Sequence, residues 1–383
     1  MGIKNLIYEK RECNICNSFK LESLWSYKHY SPTEKKTFIW NINNVRCKNC
    51  GFIFVSPVPS TKSLNLYYKH LHSIFLNQDA DYSIKRRLSI INKYIGKKKL
   101  FLEIGGNSTD DFFFEIKKIF EKAISVEVNQ DKKNSYQSIN NVNKNNFDAI
   151  GAYFVLEHVG DPLKFLKDCD AKLAKNGRII IEVPNVLEYE KKSDGLMFEH
   201  LNHFSPESLE MLASKAGLKK VFIGKKCSRS FGFIGVFEKQ NILKVKLPKN
   251  IKEIMVKRDY EIFKKGVIKV KKFYNRINNL AKIIDKNKGE ILIWGANINT
   301  SILTSKHKFK NKITVVDSDP RKKSYLYDIC KIKVVLPAEI KDQINDFKII
   351  VIMTKRHAPQ IIRSIKSNFG RKLTKNDILI IDI

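Results

Sequence analysis

Apolar runs of four to eight residues recur between residues 96 and 240, and polar stretches with helical spacing separate them. The runs cover residues 99–104, 123–126, 147–154, 177–184, 220–224 and 231–237. Short apolar runs that alternate with helical stretches predict buried strands in an α/β domain with a largely parallel sheet. We therefore expect one such domain over residues 96–240.

The same alternation begins again near the C-terminus. Its apolar runs cover residues 291–294, 313–316, 346–353 and 377–382. This pattern predicts a second Rossmann-like unit over residues 289–383. Between the two units, a lysine-rich stretch at 249–285 has apolar residues at helical spacing, which predicts a long connecting helix within 241–288. A calmodulin-binding or membrane-surface helix is the less favoured alternative.

The first 95 residues follow a different pattern. Residues 1–60 contain four paired cysteines and a strand-like run at 36–40, and a Pro-rich segment closes them. Residues 61–95 have apolar side chains at helical spacing, which predicts a helical connector between this N-terminal part and the α/β core.

The paired cysteines predict a metal site. Cys13 and Cys16 form one C-x-x-C pair, and Cys47 and Cys50 form a second pair 30 residues further on. Two such pairs in a chain without an export signal favour a metal over disulfides. Zn²⁺ prefers four thiolates in a tetrahedron, and such a site has no open position, so it should be structural. Gly51 follows the second pair, where a turn of this kind needs positive φ. Reactive or unpaired thiols are the alternative, and the isolated Cys169, Cys227 and Cys330 are expected to be small core residues.

The turn after the first central strand favours ligand binding. Gly105 and Gly106 end strand 99–104, and a helix is expected from about Asp111. A strand that stops at glycine before a helix lets a ligand approach bare backbone and the helix N-terminus. Glu127, 21 residues after Gly106, is where an acid in a βαβ unit accepts hydrogen bonds from ribose hydroxyls. Because the turn lacks G-x-G-x-x-G, a dinucleotide is not the expected ligand.

A polar loop at residues 197–205 carries two histidines and an acid. Glu199, His200 and His203 precede a helix that Ser205 is expected to cap. Histidine is the side chain best matched to proton abstraction near neutral pH, and Glu199 could orient it or hold it charged. From these residues alone, a structural alternative stays open, in which both histidines only hydrogen-bond the backbone around the turn.

Composition limits the partners. The chain has 383 residues and a formal net charge of +32, but its lysines are spread along the chain and do not form one basic block. We therefore expect a solvated surface that attracts anionic substrates, with a membrane surface and nucleic acid as less favoured alternatives. No apolar run approaches the roughly 20 residues that cross a bilayer, and no signal peptide is evident. A cytoplasmic protein without a transmembrane segment is the expectation, as a monomer or weak dimer.

Five motifs occur in one order along the chain. They are C-x-x-C with C-x-x-C-G, Glu103–Asn107 (EIGGN), Val155–Pro162 (VLEHVGDP), Glu199–Ser205 (EHLNHFS) and the segment from Trp294 to Pro320. The EIGGN segment resembles the first motif of class I S-adenosylmethionine-dependent methyltransferases. The whole series resembles the sugar C-methyltransferases, which act on nucleotide-linked 4-keto-deoxysugars, and the resemblance covers essentially all of the chain.

This resemblance implies a fold and a function. The fold would be a Rossmann-like methyltransferase domain with an N-terminal zinc ribbon and a second, C-terminal Rossmann-like domain. The function would be methylation of a sugar carbon next to a keto group, in surface polysaccharide or glycoconjugate biosynthesis. Transfer to an oxygen or nitrogen of a carbohydrate, and a catalytically inactive binding protein with this fold, are the alternatives.

The resemblance also assigns roles to residues. Glu103, Gly105, Gly106 and Asn107 would line the methionine and ribose side of S-adenosylmethionine, with Glu127 on the ribose hydroxyls. His200 would be the general base, assisted by Glu199 and with His203 nearby. Asn297 and Thr300 would face the nucleotide end of the sugar nucleotide.

Two departures from the family pattern change what is expected. Met197 and Phe198 stand where the family commonly has Tyr-His, so this loop brings no tyrosine hydroxyl to the acceptor. Only 21 residues separate Glu127 from Asp148, so the helix and third strand between them should be much reduced. That strand normally brings an acid to the adenine.

Overall fold

Three sheets of five or more strands organise the residues that the computed structural model describes. These residues are 3–32, 37–70, 81–106, 110–128, 135–136, 138–192, 195–225, 227, 229–240, 253–307, 309–323, 326–327, 332–354, 357–368 and 378–380.

The N-terminal sheet has five strands, one of which comes from the middle of the chain. The strands are β1 (Ile3–Asn5), β3 (Leu21–Pro32), β4 (Thr37–Cys47), β5 (Ile53–Val55) and β12 (Asn202–His203). β4 pairs with β1, β3 and β5, and β12 pairs antiparallel with β5. A separate pair, β2 (Tyr8–Glu9) and β6 (Val58–Pro59), lies apart from this sheet. The loop with Glu199 and His200 is therefore anchored on the N-terminal sheet.

The central sheet contains seven strands. In chain order they are β7 (Leu100–Ile104), β8 (Lys122–Val126), β9 (Ser135–Tyr136), β10 (Phe147–Tyr153), β11 (Leu173–Pro184), β13 (Leu218–Gly224) and β14 (Gly232–Lys239). Their order in the sheet is β13-β14-β11-β10-β7-β8-β9. β14 runs antiparallel to β11 and β13, and the other pairs are parallel. The predicted α/β core is thus confirmed, with a mixed sheet.

The order of these strands defines a switch point. From β7 the chain moves to β8 and β9 on one side, and then crosses to β10 and β11 on the other. In open α/β sheets, ligands bind outside the carboxyl ends of the strands at such a point. The turn at Gly105 and the segment after Tyr153 therefore flank the place where a ligand is expected.

Helices cover the sheets and join different cores. They are α1 (Thr61–His70), α2 (Asp81–Tyr94), α3 (Asp111–Ile119), α4 (Pro162–Lys172) and α5 (Pro206–Lys215). α1 buries Leu64 and Tyr67 in the N-terminal core, whereas α2 buries Ile84 and Ile91 in the core beneath the central sheet. The predicted connector is therefore helical, and its two helices belong to two cores. Ser205 caps α5, as predicted, and forms a capping box with Ser208.

The C-terminal residues form a six-stranded sheet. Its strands are β15 (Glu290–Trp294), β16 (Ile313–Val316), β17 (Leu326–Tyr327), β18 (Ile332–Val335), β19 (Phe347–Ile352) and β20 (Ile378–Ile380). The order is β17-β18-β16-β15-β19-β20, and only the β17–β18 pair is antiparallel.

A long helix leads into this sheet. A π-helical turn at Met255–Asp259 continues into α6 (Tyr260–Lys286), and α7 (Ile298–Lys306) and α8 (Ala358–Asn368) follow. α6 buries Phe263 and Val267 with Trp25 of the N-terminal sheet, and buries Ile277 and Ile284 in the C-terminal core. The apolar side chains of α6 thus pack against other parts of the protein, as the sequence prediction of a connecting helix expects. No helix of the described chain is long and apolar enough to cross a membrane.

Arg11 connects the N-terminal sheet to the central domain. Its guanidinium donates to the carbonyl oxygens of Val55, Gly160 and Leu201 and to Oδ1 of Asn202, at 2.5–3.1 Å. It also lies 4.6 Å from the ring centre of Phe54. Burial lowers the pKa of Arg11 to about 9, so the group is still charged at neutral pH. Four acceptors from three separate segments therefore depend on one side chain.

We predict that Arg11→Met lowers the free energy of unfolding by about 3 kcal/mol or more, because it leaves partly buried carbonyls without donors. Urea unfolding followed by circular dichroism measures this loss. Lys164→Met is the matched control, since Lys164 is largely exposed and pairs only with Asp168, and it should change stability by less than about 1 kcal/mol. Equal effects of the two substitutions would contradict the role given to Arg11.

Candidate active site and cysteine cluster

The turn after β7 requires glycine at position 105, and a side chain at position 106 would have to displace the carboxyl end of Glu103. Gly105 has φ +75°, and a Cβ there would lie 2.4 Å from Cγ2 of Val155. A Cβ on Gly106 would lie 2.0 Å from Cδ of Glu103. Both residues therefore leave bare backbone at the switch point, and a larger side chain would displace its neighbours.

The predicted cofactor residues lie together at the carboxyl ends of β7 and β8. Ile104 pairs with Val126, which puts Glu127 beside the glycine turn. Glu103 is buried, and the Ser125 hydroxyl donates to the carbonyl of Gly106 at 2.8 Å. Asn107, also predicted to bind the cofactor, lies outside the described residues. The structure therefore brings four of the five predicted cofactor residues to one sheet edge.

The third strand is short, as predicted. β9 has two residues and pairs with β8 at Ser125 and Val126. The stretch between Glu127 and Asp148 thus contains only β9 and a 3₁₀ turn at Ile139–Asn141 as regular elements among its described residues.

The loop with Glu199 and His200 is held from two sides. The Leu201 N–H donates to the Glu157 carbonyl at 2.7 Å, and the Leu201 carbonyl accepts from the Val55 N–H at 2.9 Å. The Asn202 amide donates to the carbonyls of Leu156 and Val159. The loop therefore lies between the segment that follows β10 and the edge strand of the N-terminal sheet, next to the switch point.

Glu199 is paired with a tyrosine from α1. The Tyr67 hydroxyl donates to Glu199 Oε1 at 2.7 Å. Burial raises the pKa of Glu199 to about 7, and the Tyr67 hydrogen bond acts in the opposite direction. This carboxyl group therefore changes charge close to neutral pH.

His200 and His158 face each other with one ring nitrogen each turned inward. His200 Nδ1 lies 2.7 Å from the Gly195 carbonyl, and His158 Nδ1 lies 3.1 Å from the Glu199 carbonyl. Carbonyl oxygens only accept, so in both rings Nδ1 carries the proton and Nε2 has the lone pair. Burial lowers the pKa of His200 to about 4 and that of His158 to about 3. Both rings are thus neutral near pH 7.

Glu157 is a buried acid beside these rings. Its side chain is fully buried, and neither carboxyl oxygen has a hydrogen-bond partner among the described residues. Its Oε1 lies 3.8 Å from His158 Nε2, and burial raises the pKa of Glu157 to about 8.

His203 has both ring nitrogens bonded inside the protein. Nδ1 lies 3.0 Å from the Tyr189 hydroxyl, and Nε2 lies 2.9 Å from Oδ1 of Asn44. His203 therefore has a structural role, but through side chains and not through the backbone bonds of the structural alternative, and neither of its nitrogens is free for an acceptor. His200, in contrast, uses only one nitrogen in this way.

The residues in place of the family's Tyr-His have packing roles. Phe198 is buried and stacks on His29 with ring centres 3.8 Å apart, while Met197 is exposed. Helix α1 brings tyrosine hydroxyls to the pocket instead. Tyr67 bonds Glu199, and burial together with the nearby charges of Glu199 and Glu157 raises the pKa of the Tyr68 phenol. The absence of tyrosine from the loop is thus offset by another element.

A strained residue precedes the turn that carries Glu157 and His158, and an arginine contacts its ring. Phe154, directly after β10, has φ +58°, a conformation that non-glycine residues adopt mainly where the surroundings impose it. The Arg229 guanidinium lies 4.4 Å from the ring centre of Phe154 and acts electrostatically on Glu157, His158 and His200.

The four predicted metal-binding cysteines converge. Their sulfur atoms all lie within 4.8 Å of one another, with Cys13 Sγ 3.4 Å from Cys50 Sγ and Cys16 Sγ 3.5 Å from Cys47 Sγ. These distances exclude disulfides, which need about 2.05 Å. They are close to the roughly 3.8 Å between sulfurs around a tetrahedral ion with bonds of about 2.3 Å. The donor set therefore fits Zn²⁺.

The second turn of this cluster depends on Gly51, as predicted. Gly51 has φ +82°, and a Cβ there would lie 2.6 Å from the backbone nitrogen of Val256. Cys169 and Cys227 are buried core residues, as expected, and Cys330 lies outside the described residues.

The first turn of the C-terminal sheet satisfies its own polar groups. The Asn297 side chain caps α7 and donates to the Met353 carbonyl, while the buried Thr300 hydroxyl donates to the Gly295 carbonyl. Asp317 accepts from the Ala296 N–H. A nucleotide would have to displace these bonds to reach Asn297 or Thr300.

Four residues of this site are not among those predicted from the sequence: Glu157, His158, Tyr67 and Arg229. A signal existed for the first two, since Leu-Glu-His follows directly on a predicted strand. Tyr67 and Arg229 are distant in sequence from the other site residues, and no local pattern marks them.

Comparisons with known proteins agree with this arrangement. Residues 76–222 match the family model of a methyltransferase domain, a region that spans from the start of α2 to β13. A search of curated proteins found no match. The chain therefore contains a methyltransferase domain and is a methyltransferase.

The chain is also similar to solved structures, among them two bacterial enzymes. One is an S-adenosylmethionine-dependent methyltransferase from Clostridium acetobutylicum, with 13% identity, a TM-score of 0.36, and coverage of 47% of this chain and 98% of that one. The other is the 1,6-didemethyltoxoflavin-N1-methyltransferase of Burkholderia thailandensis, with 14% identity, a TM-score of 0.38, and coverage of 50% and 96%. Similarity at this level does not identify a substrate.

We predict that Tyr67→Phe raises the pKa of Glu199 above its value of about 7, because the variant loses a donor that favours the charged carboxylate. Less Glu199 is then ionised at neutral pH. Infrared difference titration against Glu199→Gln measures the shift. Tyr94→Phe is the control, since Tyr94 stacks on Phe222 at a different edge of the domain. An unchanged or lower pKa in Tyr67→Phe would contradict the assignment.

Proposed function

We propose that this methyltransferase acts on a nucleotide-linked sugar and methylates a carbon next to a keto group, in surface polysaccharide or glycoconjugate biosynthesis. One observation carries the proposal: the Glu199–His200 pair lies beside the switch point, and His200 keeps Nε2 free of bonds to the described protein while Nδ1 is fixed by the Gly195 carbonyl. A neutral imidazole held by one nitrogen is the arrangement that a general base needs.

The cofactor pocket would be formed by the glycine turn. Gly105 and Gly106 allow a ligand to approach the backbone closely, because any side chain there would overlap Val155 or Glu103. Glu103 would face the methionine part of S-adenosylmethionine and Glu127 the ribose hydroxyls, with Asn107 following in the same turn. When bound, this cofactor supplies an electrophilic methyl group on a sulfonium.

His200 would take the proton from the carbon next to the ketone of the sugar. At neutral pH the ring is already unprotonated, since burial lowers its pKa. The proton would move to Nε2, and Nδ1–H would stay on the Gly195 carbonyl and keep the ring in place. Because a sulfonium methyl needs little activation, one base and correct positioning of the two reactants suffice.

Glu199 and Tyr67 would position the acceptor. The hydroxyl of Tyr67 fixes one carboxyl oxygen, which leaves the other for a sugar hydroxyl. Support for an anionic acceptor comes from the net charge of +32 and from Arg229 beside Phe154.

The two flanking parts would complete the architecture. We assign structural Zn²⁺ to Cys13, Cys16, Cys47 and Cys50, supported by the convergence of the four sulfurs. The C-terminal part would be a second Rossmann-like domain, supported by its mainly parallel six-stranded sheet. The nucleotide end of the substrate would lie towards this domain.

We predict that His200→Asn lowers the rate of methyl transfer by about 100-fold to 10,000-fold, the usual contribution of a general base. Mass spectrometry of a panel of keto and non-keto sugar nucleotides, incubated with the labelled methyl donor, measures the rate. Binding of S-adenosylhomocysteine should persist in the variant, as followed by calorimetry. His357→Asn, which changes an exposed histidine, is the control.

If methyl transfer is found only with non-keto sugars, the enzyme methylates an oxygen or nitrogen of the sugar and not a carbon. The absence of any calorimetric signal with S-adenosylhomocysteine in the wild type would favour an inactive binding protein.

We predict that freshly purified protein holds zinc that a mercurial thiol reagent releases. Cys47→Ser should lose this zinc and lower the thermal stability of the N-terminal part, because metal binding and folding are coupled in such sites. Zinc release is followed with a colorimetric indicator. Cys169→Ser, in the core of the central domain, should keep the zinc. A wild-type protein without thiol-bound zinc would rule out the structural metal.

A further inference from the structure

Three groups converge beside the histidine loop, and they offer only lone pairs to one another when Glu157 is ionised. Glu157, His158 and His200 each place one ligand atom within 4.8 Å of the others. Both imidazoles carry their proton on the outward nitrogen, so the inward Nε2 atoms cannot donate. The carboxyl oxygens of Glu157 have no donor among the described residues. A single electron-deficient species could accept lone pairs from all three side chains at once.

The outer contacts of the two histidines match those of metal ligands. A histidine that binds a metal through one nitrogen usually donates the other N–H to a carbonyl or carboxylate, which fixes the tautomer and the ring orientation. His200 donates to the Gly195 carbonyl and His158 donates to the Glu199 carbonyl. The two rings are nearly perpendicular, with centres 4.9 Å apart, and His158 Nε2 lies 3.8 Å from Glu157 Oε1.

The supports of this cluster are rigid. Glu157 and His158 belong to the 3₁₀ turn at Leu156–His158, whose backbone is bonded to Leu201 and Asn202 of the histidine loop. Glu157 is fully buried and His200 is 5% exposed. A buried carboxylate without a donor is costly, and a cation is one means of compensating it.

We propose that Glu157, His158 and His200 form a binding site for one divalent transition-metal ion inside the acceptor pocket, and that the ion excludes base catalysis by His200. Two imidazoles and one carboxylate suit ions such as Co²⁺, Ni²⁺ or Zn²⁺. The metal takes the Nε2 lone pair that the proposed base needs, so the metal is an inhibitor. This second part rests on the proposed function, whereas metal binding does not.

Arg229 gives the proposal a directional test. Its positive charge acts on all three ligands, so it opposes a bound cation. Arg229→Gln should therefore bind the metal more tightly, by several-fold. If the three groups bind only protons or water, Arg229→Gln should not change the affinity for the metal.

The experiment is a titration of zinc-loaded full-length protein with Co²⁺, followed by calorimetry and visible absorption. We expect one Co²⁺ per chain, with ligand-field bands of nitrogen and oxygen ligation and without thiolate charge-transfer absorption. Glu157→Gln and His200→Asn should each weaken binding by roughly 100-fold or more, since loss of even an outer partner costs 10-fold to 100-fold. His357→Asn, which changes an exposed histidine outside the cluster, should bind as the wild type does.

The outcomes separate the two proposals. Absence of Co²⁺ binding up to millimolar concentration, or equal binding by Glu157→Gln and wild type, would overturn the metal site. Circular dichroism and S-adenosylhomocysteine binding check that each variant is folded. If Co²⁺ binds as expected and methyl transfer continues at saturation, His200 is not the base, and the proposed function fails while the metal site stands. Inhibition that a chelator reverses supports both.

Discussion

The pairing of β5 with β12 is the interaction on which the site depends. Two residues of the histidine loop, Asn202 and His203, complete the edge of a sheet whose other strands lie before residue 60. Arg11 reinforces this pairing by holding the carbonyls of Val55 and Leu201 together. Without this edge, the loop would keep only its bonds to the segment after β10 and would lose those to β5.

This arrangement gives the N-terminal part a role beyond its cysteine cluster. The cluster fixes the end of β4 and the turn before β5, so the ligand residues Cys47 and Cys50 flank the strands that carry the loop. A metal on these thiolates would therefore influence the site through the backbone, although it lies apart from the pocket. The long helix α6 also connects separate parts of the chain, because it packs on both the N-terminal and the C-terminal cores.

Burial sets the chemistry of the pocket. The same low-dielectric surroundings keep His200 neutral, raise the pKa of Glu199 to about 7 and raise that of Glu157 to about 8. Neutral imidazoles and a nearly neutral acid suit proton abstraction from a weak carbon acid. The neutral imidazoles also suit a metal ion, because imidazole must be unprotonated to bind one, whereas Glu157 would bind it as the carboxylate. Proton transfer and metal binding thus compete for the same lone pair.

The sequence by itself determined the local elements: strands 100–104 and 122–126, the glycine turn, the Ser205 cap and the two cysteine pairs all follow from spacing and backbone requirements of single residues. It also marked Glu199 and His200, because a polar loop with an acid and histidines is unusual between apolar elements. Only the tertiary structure decided which histidine is available. His203 is occupied by Tyr189 and Asn44, and His200 instead faces His158 and Glu157. The physical reason is that these contacts join residues up to 159 positions apart, and periodicity along the chain carries no information about pairing across that distance.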